Sequence, residues 1–221
     1  IKALEGVLNN PNKPVAAIIG GSKVSTKIDV INFLLKKMDI IIIGGAMANT
    51  FVAAKGLDVG KSLFEKECID LAKELIEKLQ NSNCNLILPT DFIVSKNLKK
   101  HAEYTTANFD SLPHNMMALD IGPKSIELIN KNINNCKTIL WNGPLGAFET
   151  YPFDKGTNKV ASHVSSLTKQ KKILSVAGGG DTVSALNNAK VLNDFSYVST
   201  AGGAFLEWLE GKVLPGIEPI S

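Results

Sequence analysis

Two lysines four residues apart in a glycine-led loop, an aspartate behind three glycines, and a glutamate leaving a Gly-Pro-Leu-Gly turn are the groups with chemistry to offer. The lysines stand in Gly20-Gly21-Ser22-Lys23-Val24-Ser25-Thr26-Lys27, between an apolar run and a helical stretch. Glycine lets a backbone come close to a phosphate, and N–H groups opening a helix point toward an anion. Four apart, Lys23 and Lys27 are expected on one side of the helix entry, where two cations oppose the helix dipole until an anion uses them. The plainer alternative is a tight turn followed by solvated lysines. The aspartate stands in Ala177-Gly178-Gly179-Gly180-Asp181-Thr182. Asp181 could serve only as a helix cap, but a cap needs none of the three glycines. A carboxylate beside a phosphate loop also suits Mg2+, which takes protein oxygens together with phosphate oxygens. The glutamate ends Trp141-Asn142-Gly143-Pro144-Leu145-Gly146-Ala147-Phe148-Glu149. A carboxylate there can accept two hydrogen bonds from ribose hydroxyls, although Glu149 alone reads as a surface acid. Gly44-Gly45-Ala46-Met47 and Ser199-Thr200-Ala201-Gly202-Gly203 could each be close helix–strand packing and no more.

Other chemistries lack their residues. None of these loops is G-x-x-x-x-G-K-[ST] or G-x-G-x-x-G, so neither a P-loop nor a nicotinamide fingerprint is present. No Ser/His/Asp or Cys/His set adjoins a glycine loop, and His101, His114 and His163 read as incidental. Chemistry here would run on positioning and electrostatics. Cys68, Cys84 and Cys136 have no zinc spacing and read as free thiols of a reducing, cytoplasmic compartment. With 24 basic and 21 acidic residues the formal charge is +3, too balanced to suggest nucleic acid or a membrane surface. Apolar residues are 44% and charged residues 20%, ordinary globular usage. The longest apolar run, around residues 40–43, has a strand's length.

Elements that could position these loops recur along the chain as a short apolar run, then glycines, then an amphipathic stretch. The runs are residues 15–19, 40–43, 86–88, 138–141, 173–176 and 197–199, with helices expected over about 26–37, from 46, and over 65–80. Continuous rather than alternating apolar runs suit strands buried on both faces. The expected fold is therefore α/β, a doubly wound (Rossmann-like), mostly parallel sheet with helices on both faces. Such sheets bind ligands beyond the carboxyl ends of their strands, where the strand order reverses, and the five glycine clusters fall at those ends. Residues 95–115 show neither period and are expected to be loops and short strands. Residues 1–8 are apolar at helical spacing and read as the tail of a helix begun upstream.

Taken in order, these loops closely resemble the carboxyl-terminal domain of the phosphoglycerate kinases. Leu119-Asp120-Ile121-Gly122-Pro123 and Leu209-Glu210-Gly211-Lys212-Val213-Leu214-Pro215-Gly216 join the stretches already quoted, so the match runs from end to end. The resemblance implies reversible, Mg2+-dependent phosphoryl transfer between 1,3-bisphosphoglycerate and ADP, giving 3-phosphoglycerate and ATP in glycolysis. It implies that Lys23, with Gly179, serves the transferring phosphoryl group and that Lys27 holds the nucleotide's phosphates. It gives Asp181 the metal, Gly178, Gly179, Gly180 and Thr182 the phosphate path, and Glu149 the ribose. Gly44, Gly45 and Leu119 would border the adenine; Gly20, Gly21, Asn142 and Pro144 would be further nucleotide contacts. Ala46 and Ala118 stand where glycine is frequent in the family, and an extra methyl at either place would narrow the adenine pocket. The implied division is residues 1–10 as the end of an interdomain helix and 11–221 as the nucleotide-binding domain. The family's amino-terminal, phosphoglycerate-binding domain has no counterpart in this chain. The expectation is a monomer that binds ADP or ATP without turning over alone. A nucleotide-binding module without catalysis remains the alternative, and an NAD-dependent oxidoreductase is disfavoured by the missing fingerprint.

Overall fold

Six of the apolar runs form one sheet because each is covered on both faces. The computed structural model describes residues 7–8 and 11–212. The strands are β1 (Val15–Ile19), β2 (Ile40–Ile43), β3 (Asn85–Ile87), β7 (Thr138–Asn142), β8 (Leu174–Gly178) and β9 (Tyr197–Ser199), every neighbouring pair parallel. The helices are α1 (Ile28–Leu34), α2 (Met47–Ala54), α3 (Ile69–Gln80), α4 (Pro123–Ile133), α5 (Lys155–Lys169), α6 (Gly180–Asn188) and α7 (Gly202–Leu209). Val15, Ala17 and Ile19 enter one core cluster with residues of α1, α2, α3 and α7. Ala16 and Ile18 enter the opposite one with residues of α4, α5 and α6. Alternate side chains of one strand thus fill two cores, which is why the runs do not alternate with polar residues.

The strand order is β3-β2-β1-β7-β8-β9. The chain winds outward from β1 to β3, then returns beside β1 as β7 and winds the other way. The reversal falls between β1 and β7, so the loops 20–27 and 142–149 face each other across it, at the position where open α/β sheets take ligands.

Three elements differ from the sequence expectation. Asp91–Ser95 (β4), Thr105–Asn108 (β5) and Met117–Ile121 (β6) form a separate antiparallel sheet in the order β5-β4-β6. β5 falls in the stretch expected to hold loops and short strands; the sheet it forms with β4 and β6 was hidden because the register shifts between Ile93 and Val94, breaking the two-residue period, and because only Ala107 of β5 is buried. Helix α1 starts at Ile28 rather than at 26 and is only seven residues long. The stretch expected as one helix over 65–80 is a 3-10 turn at Lys66–Cys68 followed by α3. Of the expected interdomain helix only Val7 and Leu8 are described; both are helical and buried, and the rest lies outside the described residues. Residues 213–216 of the tail motif also lie outside them. Among the described residues no helix is long and apolar enough to cross a membrane.

Candidate functional site

Three glycine loops meet backbone to backbone at the carboxyl end of the sheet. Gly20 N–H donates to Asn142 O at 2.9 Å, Gly21 N–H to Pro144 O at 3.1 Å, and Gly45 N–H to Leu145 O at 2.9 Å. A Cβ on Gly20 would lie 2.0 Å from Pro144 O, one on Gly44 2.3 Å from Leu145 Cδ2, and one on Gly178 2.5 Å from the Phe205 ring. Gly45, at φ +69°, would bring its Cβ to 2.5 Å from Gly21 O. Close packing alone therefore accounts for glycine at 20, 44, 45 and 178. Gly180 is different: it sits in regular helix, and a Cβ there would meet nothing within 4 Å. Nothing in the described chain requires glycine at that position.

The cations are placed by a turn, not by a helix. Lys27 N–H donates to Val24 O at 2.8 Å, Thr26 Oγ1 donates to Lys23 O at 3.0 Å, and the helix begins only at Ile28. The helical four-residue spacing expected for Lys23 and Lys27 is therefore absent. Lys27 Nζ reaches across to Asn142 Oδ1, and Asn142, 2% exposed, donates from Nδ2 to Gly178 O at 2.7 Å. Both ends of that amide are engaged inside the protein, so Asn142 is the strut that aims Lys27. Burial pulls the Lys27 ammonium below its usual pKa, against the attraction of Asp181 and Glu210. Lys23 is exposed, on the outer side of the turn, with Glu65 as a charged neighbour. Glu65 accepts from Ser25 N–H at 3.0 Å and from the Ser25 hydroxyl. Burial works against the Glu65 carboxylate, but these bonds and Lys23 outweigh it and hold its pKa below the usual value.

Asp181 does not cap its helix. The N-cap is Gly179, at φ +99°, and Asp181 is the second helical residue, exposed and without a side-chain cap bond. Thr182, 1% exposed, accepts from Gly143 N–H at 2.7 Å through Oγ1 and so ties α6 to the 142–149 loop.

A cavity of about 300 Å³ opens between these loops and the antiparallel sheet. Of the residues expected at a nucleotide, Gly21, Gly45, Leu119, Pro144, Glu149 and Asp181 line it. Gly20, Lys23, Lys27, Gly44, Asn142, Gly178, Gly179, Gly180 and Thr182 are not on its lining, although Lys27 lies within electrostatic reach of Asp181. The opposite wall is apolar: Phe92, Met117, Ala118 and Leu119, with Leu63 and Leu98 at the mouth, 64% and 53% exposed. Ala46 and Ala118 both line the cavity, where their methyls reduce its width. Leu63 and Phe92, which line the cavity, and Glu65, which bonds the Ser25 loop, have no local pattern to mark them in the sequence; Asp120 stands in the Leu119-Asp120-Ile121-Gly122-Pro123 motif, but the motif alone assigns it no role. Among the described residues no three His, Cys, Asp or Glu side chains converge on a metal position. A cation at Asp181 would have one protein carboxylate and would need phosphate oxygens to complete its shell, which suits Mg2+. A larger depression of about 640 Å³ beside β3 has Lys55 as its only charged lining residue and no glycine loop.

The sequence profile described as phosphoglycerate kinase matches residues 1–212. The phosphoglycerate kinases of Sinorhizobium fredii and Brucella melitensis are 53% and 54% identical over 218 residues, covering 99% of this chain and 55% of each relative. Among solved structures, phosphoglycerate kinase from Coxiella burnetii superposes with a TM-score of 0.92 at 45% identity, covering 96% of this chain and 54% of that one. The Pyrococcus horikoshii enzyme gives a TM-score of 0.81 at 26% identity, with 97% and 53% covered. The chain thus spans about half the length of the curated relatives it matches.

Proposed function

Because this chain belongs to the phosphoglycerate kinase family, we propose that it is the nucleotide-binding half of an enzyme moving a phosphoryl group between 1,3-bisphosphoglycerate and ADP. The observation that carries the reading is that Glu149 and Asp181 line one cavity under an apolar wall, with the half-buried Lys27 within electrostatic reach of Asp181. Residues 11–221 would be the binding domain and 1–10 the end of the connecting helix. The base lies between Leu119 and the Gly44-Gly45 loop, and Glu149 accepts from the ribose hydroxyls. Lys27 and the open edge at Gly180 receive the polyphosphate. Gly20, Gly21, Gly178, Asn142, Pro144 and Thr182 frame the loops around it, and Lys23 with Gly179 serves the transferring phosphoryl group. Asp181 would hold Mg2+, which neutralises phosphate charge when bound.

In the direction that consumes ATP, a carboxylate oxygen of 3-phosphoglycerate bonds to the γ-phosphorus while the bond to the β–γ bridging oxygen breaks, leaving ADP. The acceptor is ionised at neutral pH, so no general base is needed, and charge neutralisation with in-line alignment remains the protein's task. The acceptor's binding half belongs to the part of the relatives this chain does not span, so residues 1–221 bind nucleotide without turnover.

Calorimetry on residues 1–221 should give ADP binding that strengthens with Mg2+ and no binding of NAD. Glu149→Ala should weaken ADP roughly tenfold, about the worth of one charge-assisted hydrogen bond. A coupled assay should detect no phosphoglycerate-dependent ATP consumption; turnover by this chain, or NAD binding in place of ADP, sinks the proposal.

A further inference from the structure

The antiparallel sheet that walls the cavity is fastened to the main body by two buried aspartates. Neither α4 nor α5 is capped by the side chain of its own N-cap residue. Asp91 on β4 instead accepts from the N–H groups of Lys124 at 3.1 Å and Ser125 at 2.7 Å, at the head of α4. Asp120 on β6 accepts from Gly156 N–H at 2.6 Å, at the head of α5, and from its own neighbour Ile121 at 2.9 Å. The two fasteners are not equivalent. Asp91 is also bonded by the Ser125 hydroxyl and does not line the cavity. Asp120 does line it, although only 2% exposed, and its charged neighbour is Asp154 rather than a cation. Burial drives its carboxyl well above the usual carboxylate range, with Asp154 pushing the same way against the two backbone bonds. A carboxylate buried without a cation is a costly way to fasten a strand.

Its surroundings indicate what the cost supports. Cβ atoms on Gly146 and Gly156 would come within 2.2 and 2.4 Å of Asp120 Oδ1. Thr157, next along α5, accepts from Leu145 N–H at 3.0 Å, and Ala147 N–H donates to Leu119 O at 2.8 Å. Asp120 therefore stands where the Leu119 wall, the head of α5 and the loop carrying Glu149 converge. We propose that Asp120 is a positioning residue of the nucleotide site, fixing the gap between the Leu119 wall and the Glu149 loop so that base and ribose fit together. This rests on the nucleotide reading above.

The test measures ADP affinity by calorimetry on residues 1–221, with folding checked by circular dichroism. Asp120→Ala should lose at least tenfold in affinity. Asp120→Asn should recover most of that loss, because its amide carbonyl still accepts from Gly156 while only the Ile121 bond is given up. Asp91→Ala, which loosens the same sheet away from the cavity, should stay within threefold of wild type. Should Asp120→Ala fail to fold, Gly156→Ala takes its place: its methyl displaces the carboxylate while the helix gains intrinsic propensity, and the same tenfold loss is expected. A folded Asp120→Ala or Gly156→Ala that binds ADP like wild type overturns the inference. So does an equal loss from Asp91→Ala, which would mean general loosening, or an Asp120→Asn as weak as the alanine. A wild-type chain that does not bind ADP sinks the nucleotide reading instead.

Discussion

Lys27 carries its charge where the protein pays for it. Its pKa is pulled below 10.5 chiefly by burial, so the folded chain releases this proton more readily than the unfolded chain. The penalty on stability is then fully present at neutral pH and is relieved as pH rises through the lowered folded value toward 10.5. A polyphosphate beside Lys27 reverses the effect by favouring the charged form. ADP affinity should therefore be level near neutrality and fall as pH climbs through the lowered pKa, with proton uptake on binding in that range. Lys27→Met should remove this alkaline fall and cost at least tenfold in affinity at neutral pH. Its stability should change little, since relief of the buried charge is offset by about 1–3 kcal/mol for leaving Asn142 Oδ1 unpaired. Calorimetry in buffers of differing ionisation enthalpy checks the proton count, and an affinity that shows no fall below pH 10.5, the ordinary lysine value, contradicts it. At this scale the sequence singles out charges that stand beside glycines, and of Lys23, Lys27 and Asp181 only Asp181 lines the cavity. It gave no role to Glu65, or to Asp120 within its motif, because their partners are the Ser25 loop and the Gly156 helix head, 40 and 36 residues away.

At the scale of elements, the same glycine pattern has two causes that only the packing separates. The loops after β1 and β2 need glycine because the chains pack too closely for a side chain, whereas a Cβ on Gly180, which opens α6, would meet nothing within 4 Å. Alanine at 180 should raise unfolding stability by about 0.5 kcal/mol through lower unfolded-state entropy and better helix propensity. If phosphate approaches that edge, the same methyl should weaken ADP severalfold. Thermal melts with and without ADP check both signs, and a variant that gains stability at unchanged affinity removes Gly180 from the phosphate path. Parallel strands were legible because two-sided burial writes itself as uninterrupted apolar residues, as in the Ile40–Ile43 run. The antiparallel sheet was not, since Thr105–Asn108 buries one residue of four and β4 carries a bulge. That sheet supplies the cavity's apolar wall, of which the sequence singled out Ala118 and Leu119 but not Phe92 or Met117.

Over the whole molecule, two thiols report whether these parts open together. Cys84 packs in the core on one face of the six-stranded sheet and Cys136 on the other. Burial pushes each thiol up to about 11, with Asp39 adding to it, so neither offers thiolate to a reagent at neutral pH while the chain is closed. Labelling then requires opening, and nucleotide bound only to the closed form must slow it. At ADP one hundred times its dissociation constant the opened population falls about 100-fold, equivalent to roughly 2.7 kcal/mol. In a Cys68→Ser background, which removes the half-buried third thiol, labelling of Cys84 and Cys136 should slow by that same factor. Equal slowing means that the strands on both sides of the β1–β7 reversal unfold as one unit with the site between them. Slowing at one cysteine alone would mean that the sheet opens in halves at that reversal, with ADP holding shut only the half whose loops it contacts.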